Sequence, residues 1–457
     1  MVFGRLAFVL CACAATPVFA QSRNDVVVWS FTGGLDGNSP RGDVLVTPAA
    51  YYETTSDGGA NGVGAVVATV RAAKGGKGTT QAVWSFSGGL DGSFPSAGLI
   101  ADASGNLYGT AALDGAGHAG TVFELVRPAI GQTAWTQHTL WAFTGGSDGG
   151  QPVGSLIADN SGSGVLYGTT SFGGVYSAGV VFSLTPSGSG AWTETILWNF
   201  TGQADGARPV AALVQDAGGT LYGTAGSGGA SGVGTVFSLR PSGIVAGPWR
   251  FSAIWSPTGG ADGSTPTGSL ILDAAGNLYG TTQFGGQVGC GQAKYSYYGA
   301  PDSQTAYALG APYVPPGGDD CGVVFRLARP VAGDFWTQSV VYSFTGGLDG
   351  ANPVAGLLLD KTGKLRGTTP EYGGQPYGSP SNVGFWGNAF VLTPPVQPGG
   401  AWSELTTASF DDKSAGIYPR GGLSLAPDGS FYGTNAFGGA AWRHVSIYGY
   451  GVVFNTK

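Results

Sequence analysis

The chain has 457 residues, of which only 10% are charged, and its formal net charge is −7. An acidic chain without a basic cluster excludes nucleic acid and anionic membrane surfaces as partners. Gly 85 and Pro 26 amount to about a quarter of the residues, a level that reads as disorder unless the glycines recur at fixed places.

They do recur. The N-terminus comes first and reads as an export signal. Arg5 precedes the apolar run LAFVLCACAA, and Val18-Phe19-Ala20 supplies small residues for cleavage before Gln21. A second route, lipoprotein processing at Cys13, stays open on the lipobox-like Leu10-Cys11-Ala12-Cys13. The apolar run is too short to span a bilayer, and no later segment has 18 uninterrupted apolar residues. Residues 1–20 are therefore expected to leave, placing residues 21–457 outside the cytoplasm, periplasmic or secreted, with no transmembrane segment.

After the signal comes VVVWSF at 26–31, which matches VWSF at 83–86, LWAF at 140–143 and LWNF at 197–200. Between these matches lies one repeated unit. The third copy shows it whole: Asp148-Gly149, Pro152, LYGTT at 166–170, Gly173-Gly174, GVVFSL at 179–184 and WTETILWNF at 192–200. The DG aspartates Asp36, Asp91, Asp148, Asp205, Asp262 and Asp349 count the units, and a seventh aligns on Phe410 and Pro419. Successive aspartates from Asp91 to Asp262 are 57 residues apart, the length of four short strands with tight turns.

Within the third unit the pattern predicts strand a at 154–158, strand b at 166–170, strand c at 179–184 and strand d at 192–200. In strand d, alternation puts Trp192, Ile196, Trp198 and Phe200 on one face and Leu197 on the other. A sheet apolar on both faces needs cover on both, which radially packed blades supply. The chain begins with a lone strand d and ends with GVVF at 451–454, a strand c. The fold class is thus all-β: a seven-bladed β-propeller of four-stranded blades, closed by the N-terminal strand completing the last blade.

The repeat LYGTT…GG…GxVFxL…LWxFTGGxDGxxP resembles the GloVer tandem-repeat family, exported bacterial proteins described as choice-of-anchor. The resemblance implies a secreted, propeller-like array. It brings no reaction and no catalytic residues.

Chemistry is sought where the repeat breaks. From the Tyr of LYGT to the Phe of GxVF, units two to four span 15 residues. Units five, six and seven exceed that by 31, 9 and 7 residues, so three consecutive blades carry long b–c loops. The insertion at 287–321 is bracketed by Cys290 and Cys321, which an oxidising compartment would join as a disulfide. The long loops concentrate aromatic residues: Tyr295, Tyr297, Tyr298, Tyr307 and Tyr313, then Tyr377, Phe385 and Trp386, then Trp442, Tyr448 and Tyr450, with Arg443 and His444 among them. They either cover their own loops or form a binding crown. As a crown, the expected ligand contacts are Trp386, Trp442, Arg443, Tyr298, Tyr297 and Tyr448.

Other candidates read as structure. The DG aspartates could ring the channel mouth for a cation, but Asp-Gly is ordinary turn chemistry, and calcium needs six to eight converging oxygens. The series Asp102, Asp159, Asp216, Asp273 and Asp360 reads as hairpin turns, and the LYGT tyrosines as packing. The three histidines have no paired metal spacing, and no nucleophile, phosphate or dinucleotide motif stands in its proper setting. No cofactor, metal or catalytic residue is assigned. The expectation is an exported monomeric binding or surface-interaction propeller, whose partner is a glycan or cell-surface polymer. The alternatives are a polysaccharide-degrading enzyme, hydrolase or lyase, on the same scaffold, or a structural envelope protein.

Overall fold

The computed structural model of the protein describes residues 26–70, 79–188, 190–243, 247–286, 320–331, 335–371, 387–397, 399–410, 416–439 and 449–456. Among them every regular element is a strand, and all the ladders are antiparallel. The strands form seven sheets, each with order a–b–c–d. These are the seven blades of a β-propeller.

Blade three shows how the sequence makes one. Leu166–Thr170 (strand b) is buried throughout, and so are the first five residues of Val180–Pro186 (strand c). Trp192–Asn199 (strand d) is half-buried at the outer wall, and Ile157–Ala158 (strand a) lies innermost. Burial on both faces follows from packing each sheet between two neighbours, which is why strands b and c are almost wholly apolar or threonine.

Two expectations about the blade are corrected. Strand a pairs over Ile157–Ala158 only, not over 154–158. The carbonyl of Gly154 is used elsewhere, since it accepts the Thr110 hydroxyl of the preceding blade at 3.3 Å. Strand d does not keep strict alternation either. Phe182 pairs with Ile196 and Val181 with Trp198, so Leu197 bulges out of the ladder. Trp192 and Ile196 pack toward blade two, whereas Leu197, Trp198 and Phe200 pack toward blade four. The same register shift recurs in all seven blades. A bulge strengthens local twist, and here it turns the end of each outer strand toward the next blade.

Between blades, one hydrogen bond repeats around the ring. The first threonine of strand b donates to the carbonyl two residues after the proline of the next blade: Thr54 to Ala97, Thr110 to Gly154, Thr169 to Ala211, Thr224 to Gly268, Thr281 to Ala355, Thr368 to Gly421 and Thr434 to Gly42. All seven lie between 2.8 and 3.3 Å. The last joins blade seven to blade one. Blade seven itself is completed by Val26–Ser30, which pairs antiparallel with Val452–Thr456. The repeated glycine before strand c is a packing requirement as well as a turn. Gly179 has φ 92°, and a Cβ there would lie 2.7 Å from Cδ of Pro209 in the next blade. Buried phenylalanines fill the wedge between blades, as in Phe143–Phe182 and Phe200–Phe237, with centroids 5.2 Å apart in edge-to-face contact.

Candidate functional site

The innermost strands surround the axis of the ring. Beyond each strand-a proline the chain alternates: in blade three Val153 and Ser155 are half-exposed toward the axis, while Gly154 and Leu156 are buried between blades. The third residue after the proline links neighbours. Ser155 Oγ accepts the Gly98 N–H at 2.9 Å, Ser269 Oγ accepts that of Ala212 at 3.1 Å, and Asp43 Oδ1 accepts that of Gly422 at 2.5 Å. Asp43 is the one carboxylate at this level. Though open to the axial channel, it is surrounded by protein, and that desolvation holds its carboxyl above the usual range against the opposing Gly422 bond.

One level up, toward the face bearing the b–c loops, the first residue after the proline is arginine in blades one and seven and uncharged in the other five. The Arg41 guanidinium lies over the Phe94 ring of blade two, 5.3 Å from its centroid. Arg420 stands near Glu371, at the end of strand b in blade six, whose backbone pairs with Ala351. Burial pushes the Glu371 carboxyl up to about 7, with Arg420 pulling the other way. At the mouth, the residue preceding each proline is left-handed in every blade although none is glycine. Ser39, Phe94, Gln151, Arg208, Thr265, Asn352 and Tyr418 have φ between 55° and 61°. Six of them donate their N–H to a carbonyl of the preceding blade, as Gln151 does to Ala119 at 2.7 Å, so the ring contact maintains the conformation. Fold symmetry thus holds seven different side chains in equivalent places around one opening.

The loop calculus from sequence meets this opening. The long b–c connections leave from the same strand ends as the short ones of blades two to four: after Thr282 in blade five, Thr369 in blade six and Phe437 in blade seven. Trp386, Trp442, Arg443, Tyr297, Tyr298, Tyr448 and Cys290 lie outside the described residues. Tyr450 is described, and it packs against Gly33 of the blade-one turn, which makes it a seam residue. Cys321 is buried, at 1% exposure. A Cys290–Cys321 bridge remains an expectation, and non-reducing peptide mapping of periplasmically produced protein should recover the linked pair; two alkylatable thiols would refute it.

The aspartate series have local partners. Asp205 accepts the Trp198 indole N–H at 3.1 Å and the Thr201 N–H at 2.9 Å, and Asp36, Asp91 and Asp349 repeat the arrangement, the last with Tyr342 in place of tryptophan. Asp102 accepts the Ser104 and Asn106 N–H groups at 2.8 and 2.9 Å, an Asx turn. The LYGT tyrosines are packing residues, Tyr222 being 2% exposed with its hydroxyl on Asp216. His138 is on the surface beside Glu124, and no group of three potential metal ligands occurs among the described residues. Nor is any helix there long and apolar enough to cross a membrane.

A buried residue in blade one also escaped the sequence reading. Glu53 occupies the place of the strand-b glycine found in the other six blades (Gly109, Gly168, Gly223, Gly280, Gly367, Gly433). It is 1% exposed, neither carboxylate oxygen has a hydrogen-bond partner, and burial pushes it up to about 8. In the other blades a Cβ at the glycine would come within 2.5–2.7 Å of the strand-c phenylalanine and 2.7–3.0 Å of the strand-a leucine. Blade one has Val67 and Val44 at those places, so two smaller neighbours make room for one larger side chain. The signal was legible as YYETT against LYGTT, read together with AVVATV against GxVFxL.

The profile of the Gloeobacter/Verrucomicrobia repeat matches residues 19–188 and 126–311. The chain belongs to this family. No curated protein matches its sequence. Among solved structures, the GloVer ring is similar to an ancestral GH74 enzyme, 11% identical with TM-score 0.50, over 92% of this chain and 48% of that one. It is also similar to a calcium-bound Trichoderma reesei carbohydrate-active enzyme of family AA12, 14% identical with TM-score 0.39, over 79% and 91% of the two chains. A mutant Trypanosoma rangeli sialidase is 11% identical with TM-score 0.37, over 92% and 54%. At these identities the likeness is one of fold.

Proposed function

We propose that the chain is an exported, non-catalytic recognition propeller that binds a glycan or cell-surface polymer at the channel mouth beneath the long b–c loops. The observation that carries this reading is the distribution of variety. Glycines, prolines, threonines and phenylalanines repeat blade after blade, whereas the residues around this one opening differ in every blade. A repeat scaffold in which one set of equivalent positions differs in all seven blades is suited to presenting a surface there. The half-exposed members of the set are Gln151, Arg208 and Tyr418, an amide, a guanidinium and an aromatic ring, groups of the kind that hydrogen-bond to and stack on sugar rings. The aromatic sequences of blades five to seven would add area at low entropic cost.

The second reading, a polysaccharide-degrading enzyme, is favoured by one feature: burial pushes the Glu371 carboxyl up to about 7, into the range that suits a general acid. A glycan array on the processed protein, followed by product analysis for each hit, separates the two. Binding without turnover supports recognition, chain cleavage supports the enzyme, and no binding removes both. Trp386→Ala and Trp442→Ala should each weaken a hit at least tenfold while the melting temperature stays within about 2 °C of the parent. Loss of several degrees in both variants would instead show that the aromatic crown is packing.

A further inference from the structure

We propose a second binding site, on the face opposite the long b–c loops. It is a cavity between blades four and five that takes an oxyanion carried on a sugar-sized body, with Arg329 as the principal donor. The site lies apart from the channel mouth and does not depend on the recognition reading there.

The a–b and c–d turns leave the strand ends remote from the b–c loops. There Asp216, Gly218, Thr220, Tyr222 and Arg240 of blade four, with Arg329 of blade five, line a cavity of about 370 Å³. That is more room than a bare sulfate or phosphate fills. Two departures from the repeat open it. In blades two and five the residue four after the turn aspartate is asparagine. Its amide bonds that aspartate, Asn106 to Asp102 at 2.9 Å and Asn277 to Asp273 at 2.7 Å. Blade four has the shorter Thr220 there, which meets Asp216 only through its backbone. Gly218 is the second departure, standing where blades two, five and six have Ser104, Ala275 and Thr362. Its backbone is outside the left-handed region, so conformation does not demand glycine, and what glycine gives is open space.

The polar capacity left over in this cavity is mainly of the donor kind. Asp216 already accepts the Gly218 and Thr220 N–H groups, each at 2.9 Å, and the Tyr222 hydroxyl at 3.1 Å. Little of a carboxylate's acceptor capacity remains after three such bonds. Arg329 is the opposite case. Its backbone N–H is held by Asn277 at 3.0 Å, and its guanidinium lies over the blade-five turn, where a Cβ on Gly276 would come within 2.7 Å of Nη1. It also acts electrostatically on the Tyr222 hydroxyl, which sets it across the blade boundary. Among the described residues no ion pair and no side-chain hydrogen bond occupies it. Arg240 has an interaction of its own, and the site does not require its guanidinium. Tyr222 is braced edge-on by Trp336 of blade five, with centroids 5.7 Å apart, so the base is fixed. A guanidinium placed in this way, with N–H groups to spare, recognises planar or tetrahedral oxyanions by paired, charge-assisted hydrogen bonds. The last place on Asp216 and the Thr220 hydroxyl suit the hydroxyls of a sugar. The ligand class is therefore a uronic, sulfated or phosphorylated monosaccharide unit.

The test titrates the intact processed chain, by calorimetry, with glucuronic acid, glucose 6-sulfate, glucose 6-phosphate and glucose. At least one of the three anions should bind about tenfold or more tighter than glucose, and their ranking tells carboxylate, sulfate and phosphate apart. Arg329→Gln should weaken that anion at least about tenfold, as loss of a charge-assisted hydrogen bond does. Thr220→Asn installs the residue of blades two and five, so it should fill the cavity and also cost at least about tenfold. Both variants should melt within about 2 °C of the parent, because neither removes a packed side chain. If no anion binds, or glucose binds as well as the anions, the inference falls while the channel-mouth reading stands. The same holds if both variants bind the anion like the parent, since the anion then sits elsewhere.

Discussion

Restoring the repeat pattern around Glu53 should stabilise the protein, and by more as the pH rises. The variant is Glu53→Gly with Val67→Phe and Val44→Leu, which returns blade one to the packing of the other six. Its buried carboxyl has no partner and is pushed from 4.5 up to about 8 by desolvation alone. A carboxyl raised in the folded state costs nothing below its unfolded value near 4.5. The penalty then grows by about 1.4 kcal/mol per pH unit until the folded value is passed, and stays constant above it. At pH 7 that is about 3 kcal/mol, a large fraction of ordinary domain stability. The added phenylalanine would meet Phe31, as Phe86 meets Phe123 at 5.1 Å in the next wedge, worth about 1 kcal/mol beyond its burial. Melting curves at pH 5, 7 and 9 should therefore diverge with rising pH, the variant leading by several degrees at pH 9. Glu53→Gln isolates the ionisation: it should remove the pH-dependent part without repacking. Parallel curves for parent and Glu53→Gln would show that the carboxyl is not desolvated as described.

What the sequence made legible was whatever repeats. The period, the strand order and the shared direction of the long loops follow from LYGTT, GVVFSL and the DG turns, since each marks a fixed position in a blade. The outer-strand faces did not follow. Leu197 is apolar like its neighbours, and nothing in WTETILWNF says that the ladder skips it, because a classic bulge needs no special residue when the backbone gap lies at a sheet's outer edge. Strand a was overestimated for a related reason: carbonyls such as that of Gly154 serve the neighbouring blade, a contact between units that periodicity within one unit does not reveal. The channel residues were hidden by the opposite effect. Arg41 and Arg420 are departures at positions that look unremarkable along the chain, and only the ring sets them on adjacent blades.

Deleting residues 21–31 from the processed chain should have the largest effect of all. Val26–Ser30 is the outer strand of blade seven, with Val27 opposite Phe454 and Ser30 opposite Val452. Phe31 donates its N–H to the Gly451 carbonyl at 3.0 Å and is 1% exposed in the wedge between blades seven and one. Trp29 donates its indole N–H to Asp36, tying this strand to the first turn of blade one. The deletion removes all three kinds of contact together. Loss of a buried phenylalanine alone costs about 3–5 kcal/mol, and the ladder bonds add about 1 kcal/mol each, so the total rivals the stability of a typical domain. It also leaves the Val452–Thr456 strand as a bare sheet edge, ready to pair with another chain. The truncated protein should therefore aggregate during refolding and melt at least 10 °C below the parent. A synthetic peptide of residues 24–32 supplied in trans should recover soluble protein, because it fills the same edge and wedge without altering any other blade. A truncated chain that stays monomeric and melts with the parent would show that the ring holds through the Thr434–Gly42 contact and its neighbours alone, and that the outer strand is dispensable.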